Sequence, residues 1–137
     1  MRIRDVMSKD VQVARPTDTL QEVAGRMASG DFGFIPVADG ERLVGTLTDR
    51  DIVVRAIAKG GGAASLVSEA MTAPVTAVLD SADLKVALEA MSGGRIRRLP
   101  VLDKHDRLVG VVSLGDLSTR VKEKYAGEAL ESISRAG

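Results

Sequence analysis

Two stretches of this chain place a hydroxyl and a carboxylate at a spacing that can do chemistry: Gly45-Thr46-Leu47-Thr48-Asp49-Arg50-Asp51-Ile52 and Gly110-Val111-Val112-Ser113-Leu114-Gly115-Asp116-Leu117. In each, an apolar run of strand type ends at Thr48 or Ser113, and an acid, Asp51 or Asp116, follows three residues later where a helix begins. Two chemistries suit that pattern. Ser/Thr-x-x-Asp resembles a capping box, in which the hydroxyl accepts the N–H of the third helical residue, the acid reaches back, and its charge suits the positive end of the helix dipole. A carboxylate at a strand-to-helix turn also accepts the two hydroxyls of a ribose, beside free N–H groups that favour a phosphate. The pattern alone leaves both open.

Little else in the chain invites catalysis. Without cysteine there is no disulfide, thiolate metal site or cysteine nucleophile. The one histidine lies in Asp103-Lys104-His105-Asp106, a polar turn between apolar runs, and is expected to be an exposed turn residue. With no nucleophile–base pair, metal cluster or paired-acid motif, the chain reads as a non-enzyme. Nineteen basic and nineteen acidic residues cancel, and aromatics are only 2% of the chain. Nucleic acid is therefore not the main partner expected, despite the local cluster Arg95, Arg97 and Arg98, because both the phosphate attraction and the stacking platform are weak. The start, Met1-Arg2-Ile3-Arg4-Asp5, carries no apolar run of signal type and no stretch approaches membrane-spanning length. A cytoplasmic protein without a membrane partner is expected.

The elements that must position the two turns follow from periodicity. Ile3 to Met7 reads as a helical turn and Val11-Gln12-Val13-Ala14 as a short strand. Thr19 opens a helix with Glu22 three residues on, Leu20, Val23, Ala24 and Met27 at helical spacing, and Gly30 as its end. Phe34 to Val37 and Leu43 to Thr48 are strands around an Asp39-Gly40 turn, and Asp49 to about Ala58 is a second helix with Ile52, Val53 and Ile57 as its apolar stripe. Lys59 to Ala64 contains three successive glycines and reads as a linker. A shift of 64 then lays the first copy on the second: Met7 on Met71, Val11 on Val75, Leu20 on Leu84, Met27 on Met91, Pro36 on Pro100 and Val37 on Val101. One extra turn residue makes the shift 65, which brings Gly45 onto Gly110, Thr48 onto Ser113 and Asp51 onto Asp116.

The predicted fold class is therefore α+β, two strand–helix–strand–strand–helix units packed about a pseudo-two-fold axis, since about 60 residues bury too little core alone. The expected divisions are 2–58, a linker at 59–65, 66–124, and a tail at 125–137, with the last helix running on through Val121 to about Tyr125. The proline inside each second strand suggests an edge position. Met27 and Met91 are expected in the core.

The duplicated unit resembles the cystathionine-β-synthase (CBS) domain, and the pair resembles a Bateman module. The resemblance rests on Met7 and Met71, Ile35-Pro36-Val37 and Leu99-Pro100-Val101, Gly45-x-x-Thr48-x-x-Asp51 and Gly110-x-x-Ser113-x-x-Asp116. The run Thr48 to Val53 is particularly similar to stand-alone prokaryotic CBS-pair proteins. The resemblance implies clefts between the paired units that bind AMP, ADP, ATP, S-adenosylmethionine or relatives, with no other cofactor. It implies that Asp51 and Asp116 accept ribose hydroxyls, that Thr48 and Ser113 lie near ribose or phosphate, and that Arg97 and Arg98 meet phosphate. Val11, Val13, Val75 and Ala77, with Ile35 and Leu99, would wall the base. It further implies a homodimer and an unidentified effector protein. Gly33-Phe34 stands where the second copy has Arg97-Arg98, so unequal clefts are expected. The competing reading is an interaction scaffold in which both hydroxyl–acid pairs are only caps.

Overall fold

The computed structural model describes residues 1–93, 96–120 and 122–123. The expected end of the last helix at about Tyr125, the tail and Arg95 lie outside the described residues.

The chain forms two compact units that cross the boundaries of the sequence copies. One, here the Thr48 unit, comprises Asp10–Thr76 with Lys104–Leu108; the other, the Ser113 unit, comprises Met1–Lys9, Ala77–Asp103 and the described residues from Val109 on. The helical turn that opens each copy is thus built into the unit that holds the other copy's body. Burial is the reason. Ile3, in the 3₁₀ turn Ile3–Asp5, is fully buried in the core of the Ser113 unit with Val78, Leu84, Leu99 and Val112. Val67 and Ala70, in α3 (Val67–Ala70), are fully buried in the core of the Thr48 unit with Leu20, Val23, Ile35 and Leu47.

In the Thr48 unit, α1 (Leu20–Gly30) starts at Thr19, whose hydroxyl accepts the Glu22 N–H in a complete capping box, and Asp31 ends it in the left-handed region. Met27 lies in the core, as does Met91 in the Ser113 unit. The glycine stretch is tied down rather than left loose. Gly61 donates to the Ala56 carbonyl at 2.8 Å, and the carbonyls of Ser65 and Ala63 accept Leu20 and Gln21 N–H at 2.8 and 3.1 Å, serving donors that the first turn of α1 leaves open.

Strands β1 (Phe34–Asp39) and β2 (Arg42–Thr48) pair antiparallel, Phe34 opposite Thr48 and Pro36 opposite Thr46. The strand expected at Val11–Ala14 reduces to one parallel bridge, Ala14 to Val37. Pro36 supplies the physical cause. Ala14 N–H donates to the Pro36 carbonyl and Ala38 N–H to the Ala14 carbonyl, each at 2.9 Å, so the next rung toward Gln12 would need an N–H that proline lacks. The edge position expected for each proline is corrected on the same ground. β1 is flanked by β2 and the Ala14 bridge, and in the Ser113 unit β4 (Arg98–Leu102) lies between β3 (Val78–Leu79) and β5 (Leu108–Ser113). The proline does not need a free edge; it needs the partner ladder to stop one residue short.

The helix after β2, α2, runs from Asp49 through an α turn (Asp49–Asp51), a π stretch (Ile52–Ala56) and a 3₁₀ turn (Ile57–Lys59) to Gly60, which takes a positive φ. Its inward row is Ala56, which is buried, and Ile52, which is half-buried against the same core. Val53 and Ile57, expected in the stripe, occupy the neighbouring row and are 59% and 53% exposed. The Ser113 unit has α4 (Leu84–Met91), and α5 at residues 114–120 follows β5.

Candidate functional site

Both hydroxyl–acid turns form complete caps. At the Thr48 turn, Asp51 N–H donates to Thr48 Oγ1 and Thr48 N–H to Asp51 Oδ2, each at 3.0 Å. At the Ser113 turn, Asp116 N–H donates to Ser113 Oγ at 3.0 Å and Ser113 N–H to Asp116 Oδ2 at 3.3 Å. All four side chains are half-buried, at the point where an edge of β-structure hands over to a helix. A cap of this kind consumes one carboxylate oxygen and leaves acceptor capacity on the other, so the two chemistries read from the sequence are compatible at one carboxylate.

The two turns then diverge. Asp49 N–H donates to the Gly33 carbonyl at 3.1 Å, and a Cβ on Gly33 would meet an Asp49 carboxylate oxygen at 2.8 Å. The corresponding bond in the other unit runs from Leu114 N–H to the Arg97 carbonyl at 2.7 Å. The Thr48 turn therefore carries a second acid over a bare glycine, where the Ser113 turn carries an apolar residue bonded to the backbone of the basic pair. Arg97 and Arg98 are both exposed, Arg98 as the first residue of β4.

Among the remaining wall residues, Val11 and Val75 are half-buried in the Thr48 unit and Ala77 is half-buried in the Ser113 unit. Val13 is exposed, its carbonyl accepting from Arg26 Nη1 at 3.1 Å. Ile35 and Leu99 have no exposed surface; each is a central member of its unit's core, where it supports the strand rather than facing solvent. His105 is exposed on its turn. No three His, Cys, Asp or Glu side chains gather to hold a metal ion among the described residues, and no helix among them is long and apolar enough to cross a membrane.

Two contributors to the Thr48 turn escaped the sequence reading. The Thr72 hydroxyl lies 3.3 and 3.4 Å from the two oxygens of Asp51, and Arg55 Nε lies 3.8 Å from Asp51 Oδ1 while its Nη1 donates to the Met71 carbonyl at 3.1 Å. A signal was present: the repeat lays Thr72 on Ser8, a hydroxyl in both copies, and Arg55 on Arg120, an arginine in both.

This construction defines a class, a tandem pair of small α+β units each with a hydroxyl–acid turn between strand and helix. The CBS domain model matches residues 3–57 and again 67–123, and the chain belongs to that family. It is 39% identical over 136 residues to the uncharacterized protein YlbB of Bacillus subtilis, covering 97% of this chain and 91% of that one. It is 33% identical over 132 residues to hypoxic response protein 1 of Mycobacterium tuberculosis, covering 95% of this chain and 92% of that one. The crystal structure of Hypoxic Response Protein I, with two coordinated zinc ions, superposes with a TM-score of 0.80 over 88% of this chain and 98% of that one. The CBS domain pair of protein MJ0100, solved with 5′-methylthioadenosine and S-adenosyl-L-methionine, superposes with a TM-score of 0.79 at 26% identity, covering 90% of this chain and 98% of that one.

Proposed function

We propose that this chain is a non-catalytic regulatory sensor that binds an adenosine nucleotide or derivative, of the AMP, ADP, ATP or S-adenosylmethionine class, at its hydroxyl–acid turns. The observation that carries the reading is the Ser113 turn. There the cap engages Asp116 through Oδ2, and Leu114 N–H is bonded to the Arg97 carbonyl, so the carboxylate and the backbone that carries the basic pair meet at one turn, which supports a ligand with both sugar and phosphate. The ligands of the MJ0100 pair support the adenosine class. Ligand binding signals by favouring one of two arrangements of the protein, which an effector protein then reads. Val53, Val54 and Ile57 on α2, 59%, 45% and 53% exposed, support a homodimer formed through that helix.

The completeness of both caps favours a second reading, an assembly scaffold with no small ligand. A thermal-shift screen with AMP, ADP, ATP, S-adenosylmethionine, NAD and GMP separates the two. A ligand at a hundred times its Kd stabilises by about 2.7 kcal/mol, a rise of several degrees in Tm. An adenosine-selective rise that Asp116→Ala abolishes supports the sensor. No rise in the wild type, with the variant losing only the roughly 1 kcal/mol of one hydrogen bond, supports the scaffold.

A further inference from the structure

At the Thr48 turn the chain already occupies its own carboxylate. Oδ2 of Asp51 takes the Thr48 N–H, and the Thr72 hydroxyl lies nearly equidistant from both oxygens, 3.3 Å from Oδ1 and 3.4 Å from Oδ2. A donor in that position spans the outer edge of the carboxylate. A vicinal diol needs the same edge to give one hydrogen bond to each oxygen. Arg55 adds its charge 3.8 Å from Oδ1 and is held by its bond to the Met71 carbonyl. Thr72 is fixed too, by reciprocal backbone bonds with Thr46 at 2.8 and 3.1 Å.

The Ser113 turn has the parts but not the contact. Ser8, the repeat counterpart of Thr72, makes the same reciprocal backbone bonds with Val111, at 2.8 and 3.0 Å. Among the described contacts neither Ser8 nor Arg120 reaches Asp116, and Arg120 Nη1 instead lies 3.8 Å from Glu123 Oε2.

We propose that Thr72 is an internal occupant of the Thr48 site, a hydroxyl that a ligand's diol must displace from Asp51, so that the Ser113 site fills first and the Thr48 site only at higher ligand concentration. This rests on the adenosine reading above and makes Thr72 the residue that sets the difference between the two sites.

The test is calorimetric titration of AMP into Asp116→Ala, which leaves the Thr48 site to be read alone, with Thr72 intact, as Thr72→Val and as Thr72→Ser. Removing a competing hydrogen bond tightens AMP binding about fivefold in the valine variant, and serine, which keeps the hydroxyl, matches the parent. Binding that emerges only in the valine variant also supports the proposal. Equal or weaker affinity in the valine variant overturns it, because Thr72 is then neutral or a ligand contact. Absence of AMP binding in all Asp116→Ala proteins, with binding retained in Asp51→Ala, overturns the inference while leaving the adenosine reading standing at the Ser113 turn. A wild type that binds none of AMP, ADP, ATP or S-adenosylmethionine overturns the adenosine reading itself, and the inference with it.

Discussion

The Met7 thioether occupies the space over Gly110 that any side chain there would need: a Cβ on Gly110 would lie 2.6 Å from the Met7 sulfur. Gly45 and Met71 repeat the relationship at the same 2.6 Å. The glycine that heads each hydroxyl–acid motif is thus a packing requirement. It lets the opening segment of the opposite sequence copy lie against β2 or β5, where Thr72 bridges Thr46 and Ser8 bridges Val111.

Substitution should be costly at both positions and worse at Gly110. A Cβ there also comes within 2.8 Å of the Ser8 carbonyl oxygen, whereas at Gly45 the nearest carbonyl, that of Thr72, is 3.1 Å away. A methionine tip can swing aside; a bonded carbonyl cannot. Gly110→Ala is expected to lose about 1–3 kcal/mol, the range for overpacking, and Gly45→Ala less. Urea unfolding of the two variants measures the order, and an equal or reversed cost would mean that the methionines dominate the clash.

Asp51 and Asp116 should also differ in stability terms. Asp116→Ala removes the carboxylate's bond from Ser113 N–H and leaves Ser113 as the cap, a loss of about 1 kcal/mol for one hydrogen bond. Asp51→Ala removes the equivalent bond from Thr48 N–H and also the long hydrogen bond from Thr72, so its loss should be larger. The Arg55 pair adds little, because that arginine side chain is 48% exposed and water screens it. Denaturation without ligand reads the difference.

Arg97→Ala should separate phosphate recognition from sugar recognition. If the guanidinium meets a ligand phosphate, AMP binding at the Ser113 turn weakens roughly tenfold, as for charged hydrogen bonds, and adenosine binding stays unchanged. Titration with both ligands decides this; parallel loss for both would assign Arg97 to the fold. The equivalent position at the Thr48 turn, Gly33, lies against the Asp49 carboxylate, so that turn is expected to discriminate less in favour of phosphate.

If the chain dimerises through α2 as proposed, Val53→Asp should convert that dimer to a monomer without loss of fold. The side chain is 59% exposed, so a charge there leaves the core intact while placing an unpaired carboxylate in an interface through α2. Light scattering coupled to size-exclusion chromatography, with circular dichroism as a control for fold, gives the answer. A variant that remains dimeric would move the interface off this helix.

Much of this protein was legible from local signals. The duplication follows from residue types that recur at a shift of 64 to 65, and the α1 cap at Thr19, the two caps at Thr48 and Ser113 and the core placement of Met27 and Met91 rest on interactions within four residues or on helical spacing, all of which residue order alone specifies. Pro36 and Pro100 do not sit at free edges, because a missing N–H costs nothing where the neighbouring ladder stops short of it, and where a ladder stops is not a local property. Val53 and Ile57 face outward although they share the apolar period of α2, because periodicity finds an apolar row but not which of two adjacent rows meets the core. The exchange of opening turns and the approach of Thr72 to Asp51, 21 residues away, were beyond any local signal. They depend on which buried face Ile3 and Val67 complete, and that is decided only when the whole chain packs.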